Sequence, residues 1–516
     1  MSLNLPDKKG LDISDFSSLI KNDLPASLVT FLVALPLSLG IALASGAPLM
    51  AGIIAAIVGG IVVGTLGGAP LQVSGPAAGL SVIIFGFVQE LGWGVTAAMT
   101  VGAGISQIII GKIGLAPIAL AISPAVIHGM MAAIGILIAI SQIHVVFGVE
   151  PVGKGIENLF DIPNSVMNLN PEATFLGVFT IIILIVWSIL KPKRLRNIPG
   201  SLVAVVVATI ISIAFSLDVP RVELAGSLIE SISLPVLPST NFGTFIAGIV
   251  VLTLVASAES LLSAVATDKL HSGPRCCLNK ELTAQGIGNT ISGLLGGLPI
   301  TGVIIRSKAN ISSGAKTRLS AILHGVWVLI FVVFLPDVII LVPLASLAGL
   351  LVYIGIGLVN INHIKELKRY DELVVYFITV FAIVGIDLLV GLVIGFMVAL
   401  IRLLLKFTRL NVNIENQDDQ WQVSITGTLT CIEVPKLTTH LNTIPPDKEV
   451  KINLALRYLD HAGYEALKSW QESYEKIGGR VVTNDLVENK EEEQTSQSAP
   501  LVNNCVIENV WAQYNK

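Results

Sequence analysis

Arg306 stands in the run Pro299-Ile300-Thr301-Gly302-Val303-Ile304-Ile305-Arg306-Ser307-Lys308-Ala309-Asn310, between two long apolar blocks. An arginine near bilayer depth costs at least about 2.5–3.5 kcal/mol on insertion scales, and it is tolerated where it faces water or a partner. Pro299 and Gly302 just upstream predict that one helix stops there and another starts. A restarted helix points its free N–H groups and the positive end of its dipole into the space ahead of it, which suits an anion. Arg306, one or two turns inside that start, adds a fixed positive charge. A snorkelling arginine at a membrane edge would look the same over so short a stretch.

A second interruption favours the anion reading. Leu71-Gln72-Val73-Ser74-Gly75-Pro76-Ala77-Ala78-Gly79 breaks the early apolar segments with Gly, Pro and Ser. Counted from the first span, it falls at an offset similar to that of Pro299–Arg306 counted from about Val250. Matching interruptions in two halves point to a central site in a membrane protein built from repeats. Two half-helices meeting N-terminus to N-terminus would gather positive potential between them. Glu259, in Ala256-Ser-Ala-Glu-Ser-Leu-Leu-Ser263, is a carboxylate inside an apolar span, and Ser263 shares its helix face. Buried charges cost less as a pair, so Glu259 is expected to approach Arg306. Glu281 and Gln285, one helical turn apart, are explained by capping and packing as well as by function, and His128 reads as a packing hydrogen-bonder. His144 and His324, near expected span ends, receive no role.

The elements that must position these residues follow from composition. Hydrophobic residues make up 53% of the 516, charged residues only 13%, and the mean hydropathy is +0.79. Soluble domains carry about 25% charged residues, so the chain is a polytopic membrane protein, and its 47 glycines suit close helix packing and broken helices. About fourteen apolar segments fall between residues 25 and 406, several too short to cross a core of roughly 30 Å alone. The basic loops Lys191–Arg196, Lys269–Lys280 and Lys365–Arg369 all follow even-numbered segments. With Lys8, Lys9 and Lys21 they place every basic loop and both termini on the cytoplasmic side. The N-terminus is polar and has no signal-peptide core.

From about Asn411 the pattern changes. Trp421–Thr426 and Val450–Leu454 alternate as strands do, while Ala462–Glu475 and the stretch after Pro435 read as helices, which together predict a small α/β domain. The expected organisation is a cytosolic segment 1–22, a transmembrane domain 23–408, an α/β domain 411–487, and a disordered tail 488–516 rich in Glu488 and Glu491–Glu493. Cys276, Cys277, Cys431 and Cys505 show no metal-ligand or disulfide-framework spacing. No basic patch with interleaved aromatics suggests nucleic acid. No Ser/His/Asp or metal constellation suggests an enzyme.

The chain resembles the SulP family of sulfate permeases, bicarbonate transporters and multifunctional anion exchangers. The resemblance is carried by Val33-Ala-Leu-Pro-Leu-Ser-Leu-Gly-Ile-Ala42, by Val73-Ser-Gly-Pro76, and above all by Asn279-Lys-Glu-Leu282, Ala284-Gln-Gly286, Gly288-Asn289, Gly293, Gly296-Gly297, Pro299, Arg306-Ser307, Asn310 and Ser313-Gly-Ala-Lys-Thr317. It implies a seven-plus-seven inverted repeat of uracil-permease type, with a core domain sliding against a gate domain. It also implies an anion held between the starts of segments three and ten, here Ser74, Gly75, Pro76, Ala77 and Ala78 facing Val303, Ile304, Ile305, Arg306 and Ser307. Leu37 and Ile41 match pocket-lining positions. Glu259 with Ser263 matches the cation-coupling acid, the coupling ion being H+ or Na+, and no other cofactor is implied.

The function implied is secondary active transport of sulfate or bicarbonate across the cytoplasmic membrane, by symport or exchange, with a passive anion channel as the alternative. The tail resembles a STAS domain, and family members form homodimers. Asp460-His461-Ala462-Gly463 lacks the phosphorylatable Ser of some STAS turns, which leaves kinase switching there in doubt. Thr267-Asp-Lys-Leu-His-Ser-Gly-Pro274 resembles bacterial members associated with carbonic anhydrases.

Overall fold

The computed structural model describes residues 13–117, 123–151, 155–190, 198–223, 228, 230–386, 388–407, 410–417 and 420–485. Lys8, Lys9, the basic loop 191–196, the acidic tail and Cys505 lie outside the described residues. The chain divides into two compact units between Phe396 and Met397.

In the first unit, α1 (Ile13–Ala44) is followed by α2 (Leu49–Val58), which runs through a π-turn (Gly59–Val63) into α3 (Gly64–Leu66). Strand β1 (Ser74–Pro76) then leads into the short α4 (Ala78–Leu91). The half closes with α5 (Trp93–Ile113), α6 (Pro124–Val146), the short α7 (Ile156–Met167), α8 (Pro171–Leu190) and α9 (Gly200–Ala214). The second half repeats that order with α10 (Phe242–Asp268), α11 (Leu278–Leu294), strand β2 (Ile300–Gly302) leading into α12 (Ile304–Ser312), α13 (Leu319–Phe334), the one-turn α14 (Pro336–Ile340), α15 (Leu344–Leu358), the short α16 (Ile361–Arg369), α17 (Leu373–Gly385) and α18 (Leu388–Phe407). Each half is thus seven segments, the third of them a strand plus a half-helix. β1 and β2 pair antiparallel, with Ser74 opposite Gly302, Gly75 opposite Thr301 and Pro76 opposite Ile300. An antiparallel pair drawn from equivalent positions is what an inverted repeat produces.

Among the described residues, seven helices are long and apolar enough to cross a membrane. The broken segments are shorter, 14 residues in α4 and nine in α12. Their positions agree with the sequence reading to within a few residues. α1 differs, since it reaches back to Ile13, ahead of the span start expected near residue 25. The strands and the amphipathic helices α7 and α16 were also not expected. α16 carries Lys365, Lys368 and Arg369 along a nine-residue helix, too short and too charged to register as a span.

Glycine sets the closest helix contacts, and it does so at repeat-related places. On the π-turn, a Cβ at Gly60 would lie 2.6 Å from Gly325 Cα of α13. At the matching contact of α5 with α11, a Cβ at Gly104 would lie 2.5 Å from Thr290 N, and one at Gly286 2.6 Å from Gly104 O. Without a hydrophobic drive between helices in lipid, such backbone approach is what holds them together.

The second unit holds a four-stranded sheet in the order β3 (Leu410–Gln417), β4 (Gln420–Leu429), β5 (Glu449–Leu459), β6 (Arg480–Asp485). β3 and β4 form an antiparallel hairpin, while β5 lies parallel to both β4 and β6. Parallel neighbours need crossovers, supplied by α19 (Val434–Leu441) and α20 (His461–Lys476). Leu410, Val423, Ile425, Leu437, Val450 and Ile452 form its core. Asp460 explains the turn read in the sequence: its carboxylate caps α20 by accepting from Gly463 N at 2.7 Å, and also accepts from Cys431 N at 2.8 Å. Any side chain at Gly463 would strike Leu429.

Candidate anion site

Non-helical backbone inside a membrane domain survives only if its N–H and C=O groups find protein partners. Around β1 and β2 they do. Val303 N donates to Val73 O at 2.9 Å, and Val73 N to Ser307 Oγ at 2.9 Å. Gly302 N donates to Ser260 Oγ of α10 at 3.2 Å. Asn289 of α11 takes both edges of Ile300, its Oδ1 accepting from the Ile300 N–H and its Nδ2 donating to the Ile300 carbonyl at 3.0 Å. It is steadied by Gln107 of α5, whose Oε1 accepts from Asn289 Nδ2 at 2.8 Å. Gln285 Nε2 donates to Ser74 Oγ at 2.7 Å and to Glu281 Oε1 at 2.9 Å. Glu281 Oε2 accepts from Gly68 N and Ala69 N at 2.8 and 2.9 Å. Glu281 and Gln285, which capping and packing explained from sequence as well as function did, therefore hold the approach to β1.

The strands aim two helix starts at one place. Ala77, with φ −110° and ψ 134°, precedes α4, and Val303, with φ −112° and ψ 112°, precedes α12. Neither start has a side-chain cap, so their N–H groups and dipoles face forward. Arg306, in the first turn of α12, is completely buried. Its Nη2 donates to Ser38 Oγ of α1 at 3.1 Å and to Pro76 O at 3.4 Å. Its Nε and Nη1 are buried with no hydrogen-bond partner. The guanidinium lies against the bare backbone of Gly75, where a Cβ would collide with Nη1. A cation with two orphaned donor nitrogens at the focus of two helix N-termini is an arrangement for holding an oxyanion by charge-assisted hydrogen bonds.

Of the other residues read from sequence, Ser74, Gly75, Pro76, Ala77 and Ser307 are buried in this crossing, and Ala78 and Val303 are half-buried. Ile304 and Ile305 expose their side chains, so only their backbone contributes. Leu37 and Ile41 are buried on α1. Leu43 and Ala44, further along α1, line a cavity of about 980 Å³ together with Phe85, Glu90, Gln142 and Thr244. No residue of either strand lines that cavity, nor does Arg306.

Glu259 corrects one expectation. It lies beside the first turn of α4, where a Cβ at Gly79 would sit 3.0 Å from Glu259 Oε2. That oxygen is buried without a partner, and Arg306 makes no bond to it. The two charges do not pair, because they flank the β1–α4 junction, one at Gly75 and the other at Gly79. Ser263, one turn on, is buried on the same helix. His128 packs against His363 of α16, ring centroids 3.9 Å apart and tilted by 30°, but its buried Nδ1 has no hydrogen-bond partner, so the hydrogen bond expected of it is not made there. His144 is satisfied by Ser165 Oγ and Asn158 O.

Sequence reading assigned no role to Ser38, Gln107, Asn289, Asn310 or Thr301. Amide side chains within apolar segments were the available signal, since polar groups in membrane spans are rare and purposeful.

These features define a class: a multi-pass α-helical membrane protein of two inverted seven-segment repeats, whose half-helices meet at their N-termini around a buried cation. The model of the sulfate permease family matches residues 20–381, and the chain belongs to that family. It is 28% identical over 398 residues to the bicarbonate transporter BicA of Picosynechococcus, covering 74% of this chain and 69% of that protein. The structure of the transmembrane domain of a cyanobacterium bicarbonate transporter BicA matches with a TM-score of 0.65 at 29% identity, over 73% of this chain and 97% of that one. The structure of SLC26A9 matches with a TM-score of 0.73 at 17% identity, over 91% and 84%, a likeness of fold.

Proposed function

We propose that this protein is a secondary active transporter of a small inorganic anion, sulfate or bicarbonate. The observation that carries the reading is Arg306, wholly buried with Nε and Nη1 unpartnered where the starts of α4 and α12 converge. The anion sits between Ser74–Ala78 and Val303–Ser307, taking hydrogen bonds from the guanidinium and from the N–H groups at the two helix starts. Oxyanions of one or two charges both suit such a site. The family name supports sulfate, and the similarity to BicA supports bicarbonate.

Transport proceeds as the β1–β2 crossing and the helices bound to it move against the bundle of α6, α8, α9, α15 and α17. Glu259 and Ser263 supply the cation side of coupling, on the far side of the β1–α4 junction from Arg306. The protein resides in the cytoplasmic membrane with both termini inside. The sheet unit acts as a STAS domain that supports homodimer formation, and a carbonic anhydrase is its functional companion if bicarbonate is the cargo.

The test is uptake by proteoliposomes of radiolabelled sulfate against bicarbonate, with and without imposed proton or sodium gradients. Accumulation beyond the electrochemical limit of the anion supports active transport. Flux of either anion that never exceeds that limit, and that the same anion on the other side does not stimulate, makes the protein a channel, and no flux of either rejects the reading.

A further inference from the structure

His324 of α13 is fully buried, and the site just described does not use it. Its Nδ1 lies 3.0 Å from the Ala321 carbonyl. A carbonyl only accepts, so Nδ1 carries the ring proton and Nε2 presents a bare lone pair. That Nε2 is buried and has no hydrogen-bond partner.

Two independent routes through the structure set this imidazole beside Arg306. The first is helical register. Asn310 and Ser320 are hydrogen-bonded between α12 and α13, Ser320 Oγ donating to Asn310 Oδ1. Arg306 lies one turn before Asn310 on the same face of α12, and His324 one turn after Ser320 on the same face of α13. The second route is the π-turn. A Cβ at Gly60 would lie 2.9 Å from His324 Nδ1, and one at the adjacent Gly59 2.6 Å from Ser74 O and 2.9 Å from Gly75 N. Gly75 in turn carries the guanidinium against its backbone. Bare glycine backbone therefore separates ring and guanidinium on this side.

The other charged groups around α13 are few. Asp23 of α1 is held by Lys316 N, Thr317 N and Thr317 Oγ1 at the entry to α13. Arg318, just ahead of the helix, donates to Thr65 O and Gly67 O. Among the described side chains, Lys308 of α12, Lys21 of α1 and Asp337 of α14 are the remaining ones, and Lys308 and Lys21 are exposed. The α2 helix with its π-turn, and α3, bring no titratable side chain.

We infer that His324 is the proton acceptor that couples anion binding to proton uptake. This rests on the anion site proposed above. A proton on Nε2 places a second positive charge beside Arg306, and the two repel. An anion seated on Arg306 offsets that repulsion, so the anion and the proton each favour the other's binding, and the coupling is reciprocal. The stoichiometry is one to one: the Nε2 lone pair takes one H+ as one anion arrives, and both leave together, carrying no net charge with bicarbonate and one negative charge with sulfate. Glu259, which makes no bond to Arg306, is then left to sodium.

The experiment uses the full-length protein and whichever of sulfate or bicarbonate the wild type exchanges. Apparent anion affinity is measured by thermal stabilisation from about pH 5 to about pH 8, the range in which a histidine titrates, at a known free anion concentration for each pH. The wild type should bind the anion more tightly as pH falls, by up to about tenfold per pH unit for one linked proton. In His324→Gln that slope should vanish. In proteoliposomes the variant should still exchange labelled anion across the membrane yet fail to accumulate it under an inside-alkaline gradient. A pH-independent wild-type affinity overturns the proposal without recourse to any variant. So does proton-driven accumulation by His324→Gln at the wild-type level. Absence of any anion exchange by the wild type overturns the transport reading itself, and this proposal with it.

Discussion

Burying a guanidinium is expensive, and Arg306 is accommodated by a small set of neighbours that each leave it partly unsatisfied. Ser38 and Pro76 hold one nitrogen, while Gly75 clears the space in which the other two lie open. Gly75→Ala should push the guanidinium out of place. Overpacking at such a contact costs about 1–3 kcal/mol, which, if it falls on the anion-bound state, corresponds to roughly a five- to 150-fold loss in apparent anion affinity. Exchange kinetics would show it as a raised half-saturation concentration, and an unchanged value would mean that the arginine is not held against β1. At Glu259 the expectation differs, because no ion pair with Arg306 exists to be broken. Glu259→Gln should leave equilibrium anion binding within a few-fold and abolish acceleration by an inward sodium gradient. Sodium-driven accumulation that survives in this variant would reduce the carboxylate to a structural group.

At the scale of elements, the crossing of β1 and β2 works because α11 and α10 supply the partners that a helix would otherwise supply to itself. Asn289 alone satisfies both backbone groups of Ile300. Asn289→Leu would orphan them at about 1–3 kcal/mol each, seen as a lowered thermal midpoint in detergent, whereas an unshifted midpoint would show that the crossing is held by other contacts. The break itself was legible in the sequence, since Gly75-Pro76 and Pro299 with Gly302 interrupt apolar runs in both halves. The strand pairing was not. Three residues alternate too briefly to show a period, and nothing local reveals that two segments more than two hundred residues apart will lie side by side. His324 was missed for a related reason: counted along the chain it stands near a span end, and only the packing of α13 on the π-turn brings it to the centre. The Glu259–Arg306 pairing was expected from charge alone, which says that two buried ions gain by meeting but not that a glycine strand runs between them.

For the molecule as a whole, composition and the spacing of apolar segments were enough to read about fourteen segments with matching interruptions in two halves, while the seven-plus-seven arrangement came from the resemblance to the SulP family. In the C-terminal sheet unit, the alternation of Trp421–Thr426 and Val450–Leu454 made β4 and β5 legible, whereas β3, β6 and the Asp460 cap of α20 were not read from the sequence. The unit's core is its own, so removal of residues 411–516 should leave the anion pathway chemically complete while lowering dimer yield or the amount of protein at the membrane. A stable dimer with unchanged uptake after that deletion would give the unit another task. The central claim concerns Arg306, and counterflow exchange of labelled sulfate or bicarbonate by Arg306→Ala in proteoliposomes tests it most directly. The variant should express, insert and remain folded, because it removes an incompletely satisfied charge rather than a packing core, and its exchange should fall to the background of empty liposomes. Exchange at the wild-type rate by a well-folded Arg306→Ala protein would contradict the assignment of the anion to the meeting point of α4 and α12.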